Sequence, residues 1–473
     1  MRNMQYVSTR GQDGPISFQE ALLNGLARDG GLYLPTDIPR FSEAEIAEMA
    51  DLSYVAVAGR VMSKFTDGEI GESALTELAR AAYSDFTDTE VAPLKSVSDN
   101  LHILELFHGP TIAFKDYAMQ FLSRIFDRAL ADQGRRAVIL GATSGDTGSA
   151  ALEAFKNRDM VDVFILFPEG RVSPVQQKQM TSVIADGAHA VAVKGDFDDC
   201  QHLVKSCFND LAFRDTVHLS AVNSINWARL MPQIVYYFTS ALKLGAPDRK
   251  IAFSVPTGNF GNVFAGWVAG QMGLPIERLI VASNRNDILT RFFASGAMTR
   301  EGVVPSTSPS MDIQVSSNFE RLLFEFLNRD GAACAAMMQE FAQTGHFTVG
   351  ETLMARAREE FSAYRLDDAE TAAEIDALYK DTGMLLDPHS AVGLGAARRA
   401  QADGTIGADV AVISLACAHP AKFPAAVEAA SGILPALPEP LADLMSRKEA
   451  MMHCDNDMAS VQSVVMHNRR QAS

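Results

Sequence analysis

The sequence has few cysteines and no long apolar segment. Its five cysteines are odd in number and show no paired CxxC spacing for zinc binding or thiol exchange, so no metal site is expected. No window approaches the ~18 apolar residues of a membrane span. No apolar stretch follows the Arg near the N-terminus, as it would in a signal peptide. We therefore expect a soluble, unexported protein of the reducing cytoplasm.

The sequence also lacks an excess of basic charge. Its formal net charge is -17, and no basic patch is visible along the chain. Nucleic acid and anionic membrane surfaces would be repelled, so neither is expected as a partner. A small anionic substrate is still compatible with this charge, because screening over about 10 Å lets a few local Arg and Lys side chains outweigh a distant acidic surface.

The chain is long enough to bury more than one core. With 473 residues and roughly 100 to 200 residues per domain, two or three domains are expected. Residues 1–95 show helical periodicity, with a capping-box start at Ser17 and Glu20, and are predicted to form a helical N-terminal cap domain. The last twenty-odd residues, from about His453, are polar and Met-rich and are expected to be a loosely held tail.

From about Leu101 the pattern changes to short apolar runs, each followed by a Gly-rich or polar loop and then a helix. The runs at 137–140, 161–167, 250–256 and 408–416 precede GATSGDTGSA, PEGRVSP, TGNFGN and CAHPAKF, respectively. Buried parallel strands read in this way. The pattern predicts an α/β fold, whose ligands bind at the loops that follow the carboxyl ends of the strands.

Two of these loops could bind anions. GATSGDTGSA and TGNFGN each place small and polar residues between a strand and a helix, where free backbone N–H groups and the helix dipole attract negative charge. Neither has the GK[ST] ending of a nucleotide-binding P-loop. Each could equally be a tight strand-to-helix turn, but the pair suggests a cofactor phosphate and a substrate carboxylate.

Lys115 follows an apolar stretch in HGPTIAFKD and precedes a helix with one apolar face. The helix dipole and desolvation would both disfavour its ammonium form, which makes a nucleophile or a general base. A lysine whose stem is buried and whose charge reaches water is the alternative. His108 and His419 could act as acids or bases, although loop hydrogen bonding is the commoner role.

The motifs HGPTIAFKD, GATSGDTGSA, NSINWAR, TGNFGN and HPAKF, in this order, resemble those of the threonine synthase family, in the longer bacterial and fungal branch. The match covers nearly the whole chain. It implies the pyridoxal-phosphate fold type II (tryptophan synthase β-like), in which two open α/β domains hold pyridoxal 5'-phosphate between them. The core would span 96–473, with a smaller subdomain at about 120–240 and a larger one made of the remainder.

The resemblance also implies roles for individual residues. Lys115 would form a Schiff base with the cofactor, and the phosphate of the cofactor would be bound by Gly258, Asn259, Phe260, Gly261 and Asn262. The substrate carboxylate would be held by Thr143, Ser144, Asp146 and Thr147. Candidates for the substrate phosphate are Arg171, Ser173, Asn223, Ser224, Asn226 and Arg229, although an exposed arginine and a capped helix start are alternative interpretations for these strings.

The sequence departs from the family pattern at Cys417, where a Thr usually faces the pyridine nitrogen of the cofactor. A thiol is a weaker hydrogen-bond partner than a hydroxyl. Cys417 could contact the unprotonated ring nitrogen, a neighbour such as Ser414 could take this role, or Cys417 could be a small buried residue at a strand end.

The implied reaction converts O-phospho-L-homoserine and water to L-threonine and phosphate. Lys115, displaced from the cofactor by the substrate amine, would remove the α proton; a further proton loss at the β carbon would let phosphate leave the γ carbon, and water would add at the β carbon. A threonine or serine dehydratase of the same fold and a non-enzymatic metabolite sensor are the alternatives. A monomer or a dimer is expected.

Overall fold

The computed structural model describes residues 4–66, 68–221 and 224–470. The helices are α1 (Phe18–Asn24), α2 (Glu43–Ala47), α3 (Tyr54–Thr66), α4 (Glu72–Ala82), α5 (Lys115–Asp132), α6 (Asp146–Phe155), α7 (Pro174–Thr181), α8 (Phe197–Asn209), α9 (Leu211–Val217), α10 (Trp227–Lys243), α11 (Gly261–Gln271), α12 (Ile288–Ser295), α13 (Phe319–Phe326), α14 (Gly331–Thr344), α15 (Glu351–Glu360), α16 (Asp368–Thr382), α17 (Pro388–Ala402), α18 (Pro424–Ser431) and α19 (Met458–Asn468). Among these residues, none of the helices has both the length and the apolar character needed to cross a membrane.

The strands lie in two larger sheets and two hairpin-like pairs. They are β1 (Tyr6–Ser8), β2 (Tyr33–Pro35), β3 (Leu94–Ser98), β4 (Leu101–Glu105), β5 (Ala137–Ala142), β6 (Val161–Pro168), β7 (Ala188–Val193), β8 (Leu219–Ser220), β9 (Ile251–Pro256), β10 (Ile276–Ser283), β11 (Ala297–Thr299), β12 (His346–Thr348), β13 (Phe361–Arg365), β14 (Ala411–Ala416) and β15 (Met452–Cys454). Within the described ranges, one sheet has the order β13-β10-β9-β14-β4-β3 and another the order β15-β7-β6-β5-β8. The prediction of an α/β fold with two open sheets is confirmed.

The larger sheet is parallel except for β3, which runs antiparallel to β4 at one edge. Strands β9 and β14 in its centre are buried along their whole length. Apart from Ser254 and Ser414, their side chains are apolar on both faces because helices cover both faces, as is usual for a parallel sheet. All four predicted apolar runs form strands, two in each sheet.

The smaller sheet is completed by the end of the chain. β15 pairs in parallel with β7, and α19 packs against α8 through Val461 and Val465, which are buried. The side chain and backbone N–H of Arg470 donate to the buried carboxylate of Asp162. The expectation of a loosely held tail is therefore wrong. The valines of this segment are spaced so that they lie on one face of a helix, and this face helps to bury the smaller sheet.

The N-terminal segment is mainly helical, as predicted, and adds the antiparallel pair β1–β2. Ser17 and Glu20 form the predicted capping box. The buried side chains of this segment are continuous with those of the core: the rings of Tyr6 and Phe65 lie 6.1 Å and 5.4 Å from that of Trp227 in α10. The segment thus shares its hydrophobic core with the rest of the chain.

Candidate active site

Three neighbouring strands of the larger sheet bring three of the predicted site segments to one edge. β9, β14 and β4 are adjacent and parallel, so their carboxyl ends lie side by side. TGNFGN follows β9, Cys417 follows β14, and the segment that leads to Lys115 follows β4. The backbone N–H of Phe114 donates to Cys417 O at 2.8 Å, which joins the last two segments directly.

Lys115 is the first residue of α5, and its side chain is 12% exposed. Its Nζ donates to Asp146 Oδ2 at 3.1 Å and lies 5.5 Å from the ring centroid of Phe114. The amine is thus held at a helix start among largely buried groups, as its sequence context predicts, but with a carboxylate partner that the sequence did not indicate.

Asp146 is at the centre of the site. In the described part of the chain, its Oδ2 accepts from Lys115 and from Ser310 Oγ at 3.1 Å. Its Oδ1 accepts from Gln176 Nε2 at 2.8 Å and lies 3.1 Å from Lys422 Nζ. Burial alone would raise the pKa of Asp146, but the charges of Lys115 and Lys422 hold it well below the ordinary range of an aspartate.

This geometry corrects the role predicted for the Asp146 side chain. An ionised carboxylate only accepts hydrogen bonds, and like charges repel, so the Asp146 carboxylate is not a partner for the carboxylate of a substrate. It binds the two lysines instead.

The loop before Asp146 is shaped by its own hydrogen bonds. The Thr143 hydroxyl oxygen is buried and accepts from the backbone N–H groups of Gly145 and Gly148, each at 2.9 Å. Gly145 has φ 148°, and a Cβ there would lie 2.4 Å from the Gln176 side chain. Ser144 is exposed and Thr147 is half-buried. The outer part of the loop, at the N-terminus of α6, is therefore the part that a carboxylate could reach.

The predicted phosphate loop, 258–262, enters α11 through Phe260, which has a left-handed φ of 63°. The Phe260 side chain is buried among other phenylalanines, including Phe319 at 5.3 Å, so only its backbone can face a ligand. The loop is fixed from outside: Ser316 Oγ donates to Gly258 O at 2.7 Å, and Asn318 donates to Asn259 O from its backbone N–H at 3.0 Å and from Nδ2 at 3.1 Å.

Asn262 supplies the test of whether this loop fits a phosphate. Its Oδ1 accepts from the hydroxyls of Tyr236 and Tyr237 at 2.6 Å and 3.0 Å. Its Nδ2 is buried, with no acceptor among the described residues. An N–H donor left unpaired at the start of an 11-residue helix, beside backbone N–H groups, suits an anionic oxygen. The loop and Lys115 therefore fit the two ends of pyridoxal phosphate.

Cys417 is buried near Tyr236 and Tyr237 of α10. Burial raises the pKa of its thiol well above the ordinary value. Its backbone N–H donates to Ser390 Oγ at 2.8 Å. Ser414, the alternative partner of a ring nitrogen, faces α17, because its Oγ would lie 3.1 Å from a Cβ at Gly393. The position at the strand end beside the Lys115 segment thus belongs to Cys417.

The candidates for the substrate phosphate separate in the structure. Asn223 lies outside the described residues. Arg171 is exposed. Ser173 caps α7, and its hydroxyl donates to Gln176 Oε1 at 2.9 Å. Ser173 therefore supports the side chain that holds Asp146.

The other three candidates lie near the start of α10. Ser224 O accepts from Asn318 Nδ2, so Ser224 lies beside the phosphate loop. Asn226 is fully buried, caps α10 and donates to Leu22 O of the N-terminal segment, which is a structural role. Arg229 is 3% exposed, and burial lowers its pKa to about 10.

Sequence reasoning missed several residues of the site. Lys422 belongs to HPAKF, where attention fell on His419, although a lysine among apolar residues at a strand end was a usable signal. Gln176 and Ser310 carried none. His389 is buried, its Nε2 accepts from the Ser310 backbone N–H at 3.1 Å, and its Nδ1 lies 2.6 Å from Asp387 Oδ2.

The two histidines considered from the sequence lie together beside Phe107. The His108 ring nitrogens contact Glu105 at 2.9 Å and Thr87 at 3.1 Å. His419 Nδ1 accepts from the Ala421 backbone N–H at 3.2 Å, and burial lowers the pKa of His419 to about 4. Within the described ranges, no group of three or more His, Cys, Asp and Glu side chains could hold a metal.

Comparison with known families gives matches along most of the chain. Residues 5–83 match the family model described as threonine synthase N terminus, residues 85–357 match pyridoxal-phosphate dependent enzyme, and residues 390–465 match threonine synthase, C-terminal.

Individual relatives agree with this. The chain is 49% identical to the threonine synthase of Pseudomonas aeruginosa, with 99% of each chain covered, and 41% identical to that of Saccharomyces cerevisiae, with 94% of each covered. A crystal structure of threonine synthase from Brucella melitensis with bound pyridoxal phosphate superimposes with a TM-score of 0.96 at 55% identity, covering 99% of this chain and 100% of that one. The chain therefore belongs to the threonine synthase family of pyridoxal-phosphate-dependent enzymes.

Proposed function

We propose that this protein converts O-phospho-L-homoserine and water to L-threonine and phosphate, as a carbon–oxygen lyase that acts on a phosphate ester. The observation that carries the proposal is the position of the Lys115 amine. It lies at the sheet edge that also presents the anion-binding loop at 258–262, and it contacts the first residue of α6, which follows the second such loop. An amine between two anion sites suits a substrate and a cofactor that each carry negative charge.

Lys115 is the proposed attachment point of pyridoxal phosphate, and the loop made of Gly258, Asn259, Phe260, Gly261 and Asn262 is the proposed site of its phosphate. When bound, the cofactor accepts into its conjugated ring the electron pair left when a proton is removed from the substrate. Once displaced by the substrate amine, Lys115 takes the α proton on Nζ. Cys417 is the proposed neighbour of the ring nitrogen.

The substrate is proposed to bind between the two sheets. Its carboxylate lies at the loop formed by Thr143, Ser144, Asp146 and Thr147, with the backbone N–H groups and hydroxyls as donors and the Asp146 side chain turned to the lysines. The candidates for its phosphate are Arg171, Ser173, Asn223, Ser224, Asn226 and Arg229, of which Ser173 and Asn226 already have structural contacts within the protein. Arg229 is favoured for charge, since a buried guanidinium pairs well with phosphate.

The contacts of Asp146 support exclusion of water from the site. Asp146 follows a strand of the smaller sheet, and Lys115 begins α5, which packs against α6, whereas Ser310 and Lys422 lie outside that sheet and its helices. These bonds close the gap between the sheets around the amine, which protects a reactive site from bulk water.

We assign residues 1–95 to a cap and 96–473 to the catalytic core, and we expect a monomer or a dimer in the cytoplasm.

The experiment compares wild type, Lys115→Ala and the control Lys178→Ala. Lys178 is a lysine of similar exposure, 12%, and its ion-pair partner is Glu449 instead of Asp146. Phosphate release and threonine formation from O-phospho-L-homoserine are measured, and borohydride reduction followed by peptide mass spectrometry locates the cofactor.

We expect the wild type and Lys178→Ala to form threonine and to carry the cofactor on Lys115, and Lys115→Ala to do neither. Phosphate release with no threonine, or turnover of threonine alone, would point to a dehydratase. Cofactor found on another lysine would refute the assignment of Lys115.

A further inference from the structure

Lys422 is a fully buried lysine that none of the roles above uses. It ends a short 3-10 turn, Pro420–Lys422, which follows Cys417 after β14. Its Nζ donates to Thr111 O at 2.9 Å and lies 3.1 Å from Asp146 Oδ1. A buried ammonium is costly unless it is paired, so the contact with Asp146 is what makes this position tolerable.

Asp146 divides its two oxygens between two lysines. Oδ2 faces the Lys115 amine and Oδ1 faces Lys422, and each oxygen also accepts from one neutral donor, Ser310 Oγ or Gln176 Nε2. The carboxylate is therefore fixed in orientation from both sides. The negative charge of Asp146 is shared between the two lysines, so it does not stabilise the ammonium form of Lys115 alone.

Other titratable groups also face this cluster. Asp116, on the helix of Lys115, is fully buried, and burial raises its pKa to about 6, an effect that Lys422 opposes. Cys417 lies on the β14 side and is neutral because its pKa is raised. From α17, His389 is paired with Asp387. The charge of Lys422 thus acts on both Asp146 and Asp116.

This arrangement bears on the chemistry of Lys115. An amine that attacks a cofactor or takes a proton from a substrate must first be neutral. A single aspartate at 3.1 Å would stabilise the ammonium form and oppose this. A second buried cation on the same aspartate offsets that attraction.

We propose that Lys422 is a positioning residue for Lys115: by sharing the Asp146 carboxylate, it orients that carboxylate toward the amine and makes release of the proton from Lys115 easier. The inference rests on the proposed function, which makes Lys115 the cofactor lysine. Lys422 acts through Asp146 and needs no contact with substrate.

The test measures the rate at which the full-length, cofactor-free protein takes up pyridoxal phosphate, followed by absorbance as a function of pH. The variants are Lys422→Gln, which keeps a donor without the charge, Lys422→Met, Asp146→Asn and the double variant Lys422→Gln/Asp146→Asn. Titration of the free cofactor is common to all of them. Gln176→Met is the matched control, because it removes the other donor to Asp146 Oδ1 without changing the charge.

We expect the pH midpoint of uptake to rise by about one unit in Lys422→Gln and Lys422→Met, and to fall by about one unit in Asp146→Asn, where Lys422 is left unpaired beside the amine. The double variant should return toward the wild type. Gln176→Met should leave the midpoint in place. A residue with a structural role alone would not give opposite shifts that cancel.

An unchanged midpoint in a folded Lys422 variant would overturn the proposal, as would a shift of equal size in Gln176→Met. Failure of both Lys422 variants to fold, judged by circular dichroism, would assign Lys422 to stability and would also overturn it. Labelling of Lys115 by borohydride separates the two hypotheses: no label at Lys115 rejects the proposed function, whereas label with unmoved midpoints rejects only the role of Lys422.

Discussion

The side chains of Lys115 and Asp146 meet at 3.1 Å, and each is the first residue of a helix. α5 follows a strand of the larger sheet, and α6 follows a strand of the smaller one. Although α5 and α6 pack together, the contact lies between segments that follow strands of different sheets, at the point where a cofactor and a substrate are expected to lie. Because the Asp146 carboxylate is also held by Lys422, the position of the smaller sheet is coupled to the setting of the amine.

Gly145 should not tolerate a side chain. Its φ of 148° is in a region that is essentially restricted to glycine, and a Cβ there would lie 2.4 Å from the Gln176 side chain. Gly145→Ala is expected to lower the free energy of unfolding by about 2 kcal/mol or more and to weaken cofactor uptake, because the loop that begins α6 must shift. Urea unfolding measures the first effect and absorbance titration the second.

Gly302→Ala is the control for this change. Gly302 is exposed, lies outside the helices and strands and has no left-handed φ, and a Cβ there has open space around it. Its free energy of unfolding should stay within about 0.5 kcal/mol of the wild type. Equal losses in the two variants would show that the strain at Gly145 is not the cause.

The class of fold could be predicted from the sequence because an apolar run followed by a glycine-rich loop is a pattern of neighbouring residues. Lys115 was identified for the same reason: its surroundings in the chain are apolar and its helix begins there. The partners of Asp146 could not be predicted, since Ser310 and Lys422 are 164 and 276 positions away, and only the order of strands brings them together. The sequence therefore suggested that Asp146 is part of an anion-binding loop, because it did not show the two lysines that contact this side chain.

The prediction of a loosely held tail was wrong for a different reason. Its composition is polar, but composition does not show that Val461 and Val465 lie one helical turn apart and face the same neighbour. Cys454 is buried at the edge of the smaller sheet in the same way. Spacing was informative here and overall polarity was not.

Asn262 should contribute to cofactor affinity through its amide nitrogen. Asn262→Asp keeps an acceptor for the hydroxyls of Tyr236 and Tyr237 but replaces the buried N–H donor with negative charge. The dissociation constant of pyridoxal phosphate is expected to rise at least about tenfold, or about 1.4 kcal/mol. Equilibrium dialysis measures it. Asn100→Asp, in a surface turn, is the control and should bind as the wild type does.

Cys417 should be a weaker neighbour of the cofactor ring than a hydroxyl residue. The residue is 6% exposed, and its thiol stays protonated because burial raises its pKa. Cys417→Thr is expected to lower the dissociation constant of pyridoxal phosphate severalfold and to change turnover, since a hydroxyl is a stronger partner. Absorbance titration and phosphate release measure these effects. Unchanged values for both would remove the proposed contact.

His419 should make the protein less stable in acid. Burial lowers its pKa to about 4, so between pH 6.5 and 4 the unfolded chain binds a proton that the folded protein does not. The folded protein therefore keeps its full free energy of unfolding above pH 6.5 and loses part of it as the pH falls from 6.5 to 4. From pH 7.5 to pH 5, His419→Gln is expected to lose about 2 kcal/mol less of its free energy of unfolding than the wild type.

Urea unfolding of the cofactor-free protein at the two pH values tests this difference. His202→Gln, at an exposed position in α8, is the control and should follow the wild type. If His419→Gln also followed the wild type, the loss of stability in acid would have to come from other groups.

Arg470 should hold the end of the chain on the smaller sheet. Its guanidinium and backbone N–H donate to Asp162, which is 1% exposed, and Nη2 donates to Arg158 O at 2.7 Å. Arg470→Ala removes the side-chain donors and leaves a buried carboxylate with the more distant Arg136, 3.8 Å away. We expect a loss of about 1–3 kcal/mol in the free energy of unfolding and faster hydrogen exchange in β15 and α19.

Arg469→Ala, which removes one long bond of 3.3 Å to Thr216 O, is the neighbouring control and should lose less than about 0.5 kcal/mol. Exchange in α19 that stayed slow in Arg470→Ala would mean that the buried valines alone hold the helix, and that the contact with Asp162 adds nothing to it.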